Sequence, residues 1–503
     1  MALIVKCAYC TNCGRNGDLT YARAQCACAA PHGKEALCPI GSRTAAVRDT
    51  AVDRPPRVYR RKAVLMAVPP VRTPCASHRG LEEEKGVVTA SQTVKASTAS
   101  RRRPRDRRAQ ILHNASELFT KYGFHAVRME DIAEATDVTA RAIYRHFANK
   151  QDLLSQVVLE DQDRLLMAAQ SAESSESDVC SLEQLLTWMV EASLESLRLG
   201  PLWQREARHL TADDFERVRE GTRRIGGAVR RAIEKADPSK SRFGADVRAW
   251  MAVSIITSPG HYDHSLSQRR LSPLLVSAAL AAINTPECAS ASPESRDAPA
   301  AEAPVANERP GTSRREQIIA AAARAFRERG FGGVSLDEFG IAGPAVYRYF
   351  DSKADILSAL IIRVQEWMAL ESSRAMHHSA SDEQVIEGLV RGYVRIATEA
   401  TDLLAVSVTE ALNLPASAAE RNRRVRQDDL AEWVKWLRIS RSEVTEADAL
   451  ALVNAVRTAL NDLVRIPHLS RHAEFPDELV ACSLNALLNT PMPSARSGRR
   501  RDE

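Results

Sequence analysis

Between Arg107 and Leu154 the apolar residues recur at helical spacing in three short runs separated by polar breaks. Ile111, Leu112, Ala115, Leu118 and Phe119 share one face of a first helix, and Gly123 is placed to stop it. Met129, Ile132 and Ala133 form the inner face of a second. A turn at Thr136-Asp137-Val138 follows, then a third helix capped by Thr139, with Val138, Ala142, Ile143 and Phe147 inward. Two short helices joined by a tight polar turn make a helix-turn-helix, whose second helix can enter the DNA major groove.

The same period continues through Leu153, Leu154, Val157, Val158, Leu165 and Leu166, then from Leu182 to Leu197, Phe215 to Ile233, around Trp250, and from Leu274 to Ile283. No β-alternating run competes, so an all-α bundle is expected. Thr285 to Thr312 is rich in proline, alanine and serine and reads as a spacer.

After the spacer the chain repeats itself. Arg315 to Phe331 aligns with Arg108 to Phe124 at an offset of 207, whereas Tyr347-Arg348-Tyr349-Phe350 aligns with Tyr144-Arg145-His146-Phe147 at 203. The second copy therefore lacks the counterpart of Ile132-Ala133-Glu134-Ala135, about one helical turn. Ser335 and Glu338 can still cap the shortened helix, which ends at Phe339-Gly340. So short a helix is barely nucleated, and Ala342, Gly343 and Pro344 offer base edges little. The second head is expected to be degenerate for DNA. The repeat runs to both module ends, Asn284-Thr285-Pro286 and Asn489-Thr490-Pro491.

The spacing of Ile111-Leu112, Ala115, Leu118-Phe119, Gly123-Phe124, Ile132-Ala133, Val138-Thr139, Ile143-Tyr144, His146-Phe147, Lys150 and Leu153 resembles the DNA-binding domain of the tetracycline-repressor (TetR) family. Asp137 stands at the usual turn glycine and Arg128 at the usual Ser/Thr cap, the latter a change worth roughly 1 kcal/mol of helix stability. The resemblance implies two all-α TetR-like modules in tandem, each a three-helix head on a body that holds a ligand cavity and a dimer interface. The expected organisation is an extension at 1–103, a head at 104–154, a body at 155–286, a linker at 287–311, a second head at 312–357, a second body at 358–491 and a basic tail at 492–503.

Charge sharpens this picture. The net charge of +5 is small for 503 residues, yet Arg101 to Lys150 holds eleven Lys/Arg against six Asp/Glu. That concentration is the footprint of a nucleic-acid head on a near-neutral body. No apolar run reaches 18 residues, and the start MALIVKCAYC lacks a signal-peptide pattern, so a cytoplasmic protein without membrane contact is expected. Seven of ten cysteines fall in the first 75 residues. Cys7, Cys10 and Cys13 have metal-ligand spacing that Cys26, Cys28 or Cys38 can complete, but they read as scattered cysteines in a segment without periodicity. Gly80 to Gly86 looks like a translated ribosome-binding sequence, which predicts a natural start near Val88; the intact mass of the native protein checks it.

Within the heads, Thr139, Ala140 and Arg141 are the candidate base readers, an arginine there being able to pair bidentately with guanine. Tyr144, His146 and Lys150 are assigned to phosphates on the resemblance, with Arg145 beside them. Arg101 to Arg108, including Arg105, Arg107 and Arg108, are expected to form a mobile basic arm. In the second head the weak counterparts are Ser335, Tyr347, Arg348, Tyr349 and Lys353. His209 with Asp213 and Asp214, and His261 with Asp263 and His264, are the only metal or general-base candidates in the first body. Both read as solvated turn residues, and Arg205, Glu206 and Arg208 as surface or interhelix pairs. Trp433 and Trp436 read as core or interface rather than pocket wall. No phosphate loop, nucleophile elbow or zinc-protease motif occurs, so no enzyme and no cofactor is expected.

The partners expected are double-stranded DNA, with a pseudo-palindromic operator, and a small-molecule effector. Pairing is expected either between two chains or within one as a pseudo-dimer, with two chains preferred because one head alone would bind weakly. The competing reading is a ligand-binding or interaction protein whose heads no longer read DNA.

Overall fold

The computed structural model describes residues 104–173, 181–195, 197–288, 313–339 and 346–493, all within one compact unit, Ala96–Glu503. The N-terminal cysteines, Ala342 to Pro344 and the arginines of the tail lie outside the described residues. Among the described residues the regular structure is helical, with no strand and no helix long and apolar enough to cross a membrane.

The first head is α1 (Pro104–Tyr122), α2 (Met129–Thr136) and α3 (Ala140–Ile143), followed by the start of α4 (Lys150–Glu173). Pro104 opens α1 where a missing N–H costs nothing. Arg105, Arg107 and Arg108 thus belong to a helix, which corrects the expected mobile arm over those positions. Ile111, Phe119, Ile132, Ile143 and Phe147 are fully buried together, as their spacing requires. That core does not close on itself. Leu202 of α6 (Leu199–Glu206) and Val218 of α7 (Ala212–Ala236) complete it, so head and body share one apolar seam.

The body continues with α5 (Leu182–Glu195), α8 (Arg242–Thr257) and α9 (Gln268–Ile283). The second module repeats the order: α10 (Arg314–Arg329), one 3-10 turn (Leu336–Phe339), then α11 (Lys353–His378), α12 (Asp382–Glu399), α13 (Thr401–Thr409), α14 (Ala416–Ser440), α15 (Glu446–Leu463), α16 (Pro467–Ser470) and α17 (Phe475–Leu488). The shortened second helix of the repeat is therefore a single 3-10 turn. Phe339, the last residue of that turn, is buried and meets Phe326 edge-on at 5.8 Å, so an aromatic side chain keeps the small head's core filled.

The two bodies face each other through α8 and α9 on one side and α15 and α17 on the other, and their apolar residues form one continuous core. Polar pairs pin the contact. Arg270 holds Asp448 with two hydrogen bonds of 2.8 and 2.6 Å, and Asp448 is fully buried. Arg248, also fully buried, lies 2.9 Å from the Glu478 carboxylate through Nη2, which also donates to the carbonyls of Thr285 and Pro286, while Nε donates to Thr285 O and Nη1 to Gly244 O. Asn485 donates to Ala281 O, and Phe243 stacks on His472 with ring centres 4.1 Å apart.

Candidate nucleic-acid interface

The reading edge of the first head starts at Asp137, whose left-handed conformation (φ 55°, ψ 50°) lets its N–H close the end of α2 onto Ala133 and Glu134 carbonyls. Aspartate tolerates this region better than most residues, so it serves where glycine would. Two side chains from α1 hold the turn. Asn114 donates to Ala135 O at 2.8 Å and to Thr136 Oγ1 at 3.2 Å, and Arg107 donates to Asp137 O at 3.4 Å. The Asn114 brace escaped the sequence reading; its counterpart in the repeat is Ala321, which has no such bond to offer.

At the start of α2, Arg128 leaves the cap without a side-chain acceptor, but Asp131 compensates. Its carboxylate accepts from the Arg128 backbone N–H at 2.7 Å and from the Arg128 guanidinium at 3.1 Å. Those bonds hold the Asp131 carboxyl below its ordinary pKa. Half of a capping box is thereby rebuilt by a residue three positions on.

Thr139 caps α3 by accepting from the Ala142 N–H at 3.3 Å. Arg141, Tyr144, Arg145 and His146 are exposed along the same edge, with Ile143 and Phe147 buried behind them and Ala140 half-buried. Arg141 and Arg145 have no ion pair or hydrogen bond from their side chains among the described residues. Their guanidiniums are free to meet an outside acceptor.

Three other predicted basic contacts look different. Lys150 turns inward: its ammonium donates to Phe124 O and Val127 O, both at 2.8 Å, and lies 4.3 Å above the Phe124 ring. Burial lowers its pKa, consistent with a brace for the α1–α2 connection rather than a phosphate ligand. Lys353 repeats this arrangement on Phe331 O, Val334 O and the Phe331 ring. Arg108 bonds Gln156, lies 3.6 Å from Glu160 and packs over Phe147, so its charge is already shared with α4. The side chain of Arg105 lies outside the described residues. In the second head Tyr347, Arg348 and Tyr349 are exposed, and Ser335 precedes the 3-10 turn.

The histidines of the first body are not solvated turn residues, which corrects that expectation. His209 stacks on Phe124 at 4.9 Å and meets His125 edge-on at 4.4 Å, and its burial first, then the charges of His125, Arg208 and Lys150, press its pKa down to about 4. His261 sits against Gly200 and is likewise held at about 4, chiefly by burial. Nor are the nearby charges at the surface: Glu206 and Glu410 are buried, and Arg208 pairs with Glu410 of the second module at 2.6 Å. Among the described residues no group of three His, Cys, Asp or Glu side chains is placed to hold a metal.

Because both histidines are depressed below their unfolded value of about 6.5, their neutral burial is stabilising above that pH and the stability is lost as pH falls toward 4. Thermal unfolding at pH 7 and pH 5 is expected to differ by roughly 1–2 kcal/mol per histidine. In His209→Phe the acid loss should shrink, and an unchanged loss would show that His209 is not one of the groups responsible.

Glu206 and Glu410 occupy matching places in the repeat. Glu206 takes a hydrogen bond from the Phe124 N–H, and Glu410 accepts from the Phe331 N–H at 3.1 Å. Each head's connecting turn is thus held by the carboxylate at the end of a body helix, and Arg205 adds a 2.6 Å bond to Thr120 O.

A family model, bacterial regulatory proteins of the tetR family, matches residues 111–157 and again 318–360. The HTH-type transcriptional regulator UidR of Escherichia coli (strain K12) is 36% identical over 59 residues, 12% of this chain and 30% of that protein. The HTH-type transcriptional activator FasR of Mycolicibacterium smegmatis is 37% identical over 78 residues, 15% of this chain and 36% of its own. The HTH-type transcriptional repressor KstR2 of Rhodococcus jostii is 29% identical over 109 residues, 22% of this chain and 53% of its own. The chain spans between about a third and a half of the length of these relatives. Behind an intact turn, a capped reading helix and a repeat in register, the chain carries the DNA-binding segment of the tetR family of bacterial regulatory proteins twice, in tandem.

Proposed function

We propose that this chain is a ligand-responsive transcription regulator that binds DNA through its first head, with its two modules paired inside one chain. The observation that carries the reading is the exposed edge from Thr139 to His146, where Arg141 on α3 and Arg145 just after it are unpaired, with Asn114 holding the preceding turn and Ile143 and Phe147 buried behind. Arg141 supplies base choice, and Tyr144, Arg145 and His146 supply backbone contacts. The second head, without the Asn114 brace and with one 3-10 turn in place of α2, adds little sequence information.

The preference for two separate chains gives way to internal pairing because the buried polar pairs are complementary only between unlike modules. Aligning the caps Ser241 and Thr445, and the ends Asn284 and Asn489, sets Gly244 against Asp448, Leu452 against Arg248, Phe475 against Arg270 and Pro273 against Glu478. A first body paired with another first body would bury Arg248 without its carboxylate. Two second bodies would bury Asp448 and Glu478 without cations. Each unpaired buried charge costs several kcal/mol, so like-with-like pairing is selected against.

Sedimentation of the chain with and without a selected DNA site tests both parts. The expected result is one chain per bound site and a selected sequence that is an asymmetric half-site rather than a palindrome. Two chains on a palindrome would refute the internal pairing, and no sequence preference at all would favour a ligand-binding protein with unused heads.

A further inference from the structure

The second head has lost its reading side and kept its connecting turn. One 3-10 turn stands for α2, and Ala321 stands for the Asn114 brace. The turn before it is complete. Gly330 stops α10 at φ 75° as Gly123 stops α1 at φ 81°. Lys353 donates to Phe331 O at 2.6 Å and Val334 O at 2.8 Å, as Lys150 does to Phe124 O and Val127 O. Glu410 takes the Phe331 N–H as Glu206 takes that of Phe124.

That turn docks on the first module at the strip Arg205–His209, which closes α6. With three of its side chains the strip holds the first head. Arg205 donates to Thr120 O at 2.6 Å, Glu206 accepts from Phe124, and the His209 ring stacks on Phe124 at 4.9 Å. Arg208 turns the other way. Its guanidinium donates to Glu410 at 2.6 Å and lies so close over Gly330 that a Cβ there would come within 2.6 Å of Cζ. Glu410 is buried and also accepts from Thr409 Oγ1 at 3.2 Å, Asn413 Nδ2 at 3.0 Å and the Phe331 N–H at 3.1 Å. At the exposed rim the two turns themselves touch, for a Cβ on Gly332 would lie 3.0 Å from the His125 ring. The tie runs one way. At the offset of 204 that aligns Glu206 with Glu410, Leu412 stands in the place of Arg208 and is exposed.

A head kept for reading DNA would keep its reading helix; this one keeps the turn that meets its neighbour. We infer that the second head serves as an abutment for the first, with Arg208 as the positioning residue that locks the two connecting turns into one block. Holding the Phe124–Val127 turn fixes the start of α2, and through it the Asp137 turn and the Thr139–His146 edge. A charge pair buried this far is costly to separate, so the heads move together rather than singly. The inference rests on DNA reading by the first head and adds what the second head is for.

The test cuts the tie without leaving a charge unpaired. In Arg208→Met with Glu410→Gln the new amide can still accept the Phe331 N–H, so each turn keeps its own bonds while the ion pair is gone. Arg208→Lys keeps the cation. Amide hydrogen exchange is read on the full chain without DNA, over residues 123–127 and 330–334. Both turns are expected to exchange about tenfold faster in the double variant and within about threefold of the parent in Arg208→Lys. Affinity for a selected DNA site at fixed salt should fall about tenfold in the double variant, with random DNA and Arg208→Lys changed by less than about threefold. Unchanged exchange at the first head's turn overturns the abutment. So does a loss of equal size in Arg208→Lys or on random DNA. A parent chain without sequence preference would sink the regulatory reading, and the exchange result alone then decides the tie. Should the double variant not fold, Glu410→Gln alone takes its place with the same outcomes.

Discussion

Replacing Arg141 with alanine is expected to weaken binding to a selected DNA site about ten- to a hundredfold, the worth of one bidentate base contact. The side chain is exposed and unpaired, so its removal disturbs no contact within the head. Affinity for random DNA should fall far less, and the preference at one base position should relax. Arg348→Ala in the second head is the internal control, expected to change specific binding by less than about threefold. A gel-shift titration at fixed salt separates the outcomes. Equal losses from both changes would mean that the two heads read DNA alike, against the asymmetry proposed for them. A loss with Arg141→Ala that is the same on random and selected DNA would reduce Arg141 to a phosphate contact.

Cutting the pair at the module junction is expected to be the most damaging single change. Arg248→Met leaves Glu478 buried with its cation gone and strips the hydrogen bonds from the Gly244, Thr285 and Pro286 carbonyls, a loss of about 3–5 kcal/mol. Adding Glu478→Leu should recover a good part of that stability, because two apolar groups can share the space that one unpaired carboxylate cannot. Chemical denaturation of the two variants reads this directly. If the double variant is no better than the single one, the carbonyl bonds of Arg248 rather than its charge pairing carry the junction. The Arg270–Asp448 pair gives the same junction an acid limit. Burial raises the Asp448 carboxyl, the bonds from Arg270 and Thr445 outweigh that, and the net pKa lies below the ordinary value. Its contribution is present above about pH 4 and lost as pH falls through the lowered value.

Much of the first head was legible because its signals are local. The period of Ile111 to Phe119, the stop at Gly123, the αL tolerance of Asp137 and the cap at Thr139 all act within a few residues of chain. The repeat and its missing turn were legible by counting. Side-chain direction was not. Lys150 and Arg108 are basic residues of the same head as α3, and only the packing of the α1–α2 connection and of α4 sends their charges inward. His209 and His261 look like turn residues because the polar neighbours are close in sequence, while what buries them comes from Phe124, His125 and Gly200.

The sequence by itself determined that the chain is helical, that it contains two related modules, and which head keeps a complete helix-turn-helix, since periodicity, capping and internal alignment are properties of neighbouring residues. Only the tertiary structure decided how the bodies meet. Arg248 with Glu478 and Arg270 with Asp448 are separated by well over a hundred residues, and nothing local marks an arginine as one half of a buried pair. The same holds for Asp429 of α14 and Arg457 of α15, whose ion pair forms against the Tyr393 ring only when α12, α14 and α15 converge.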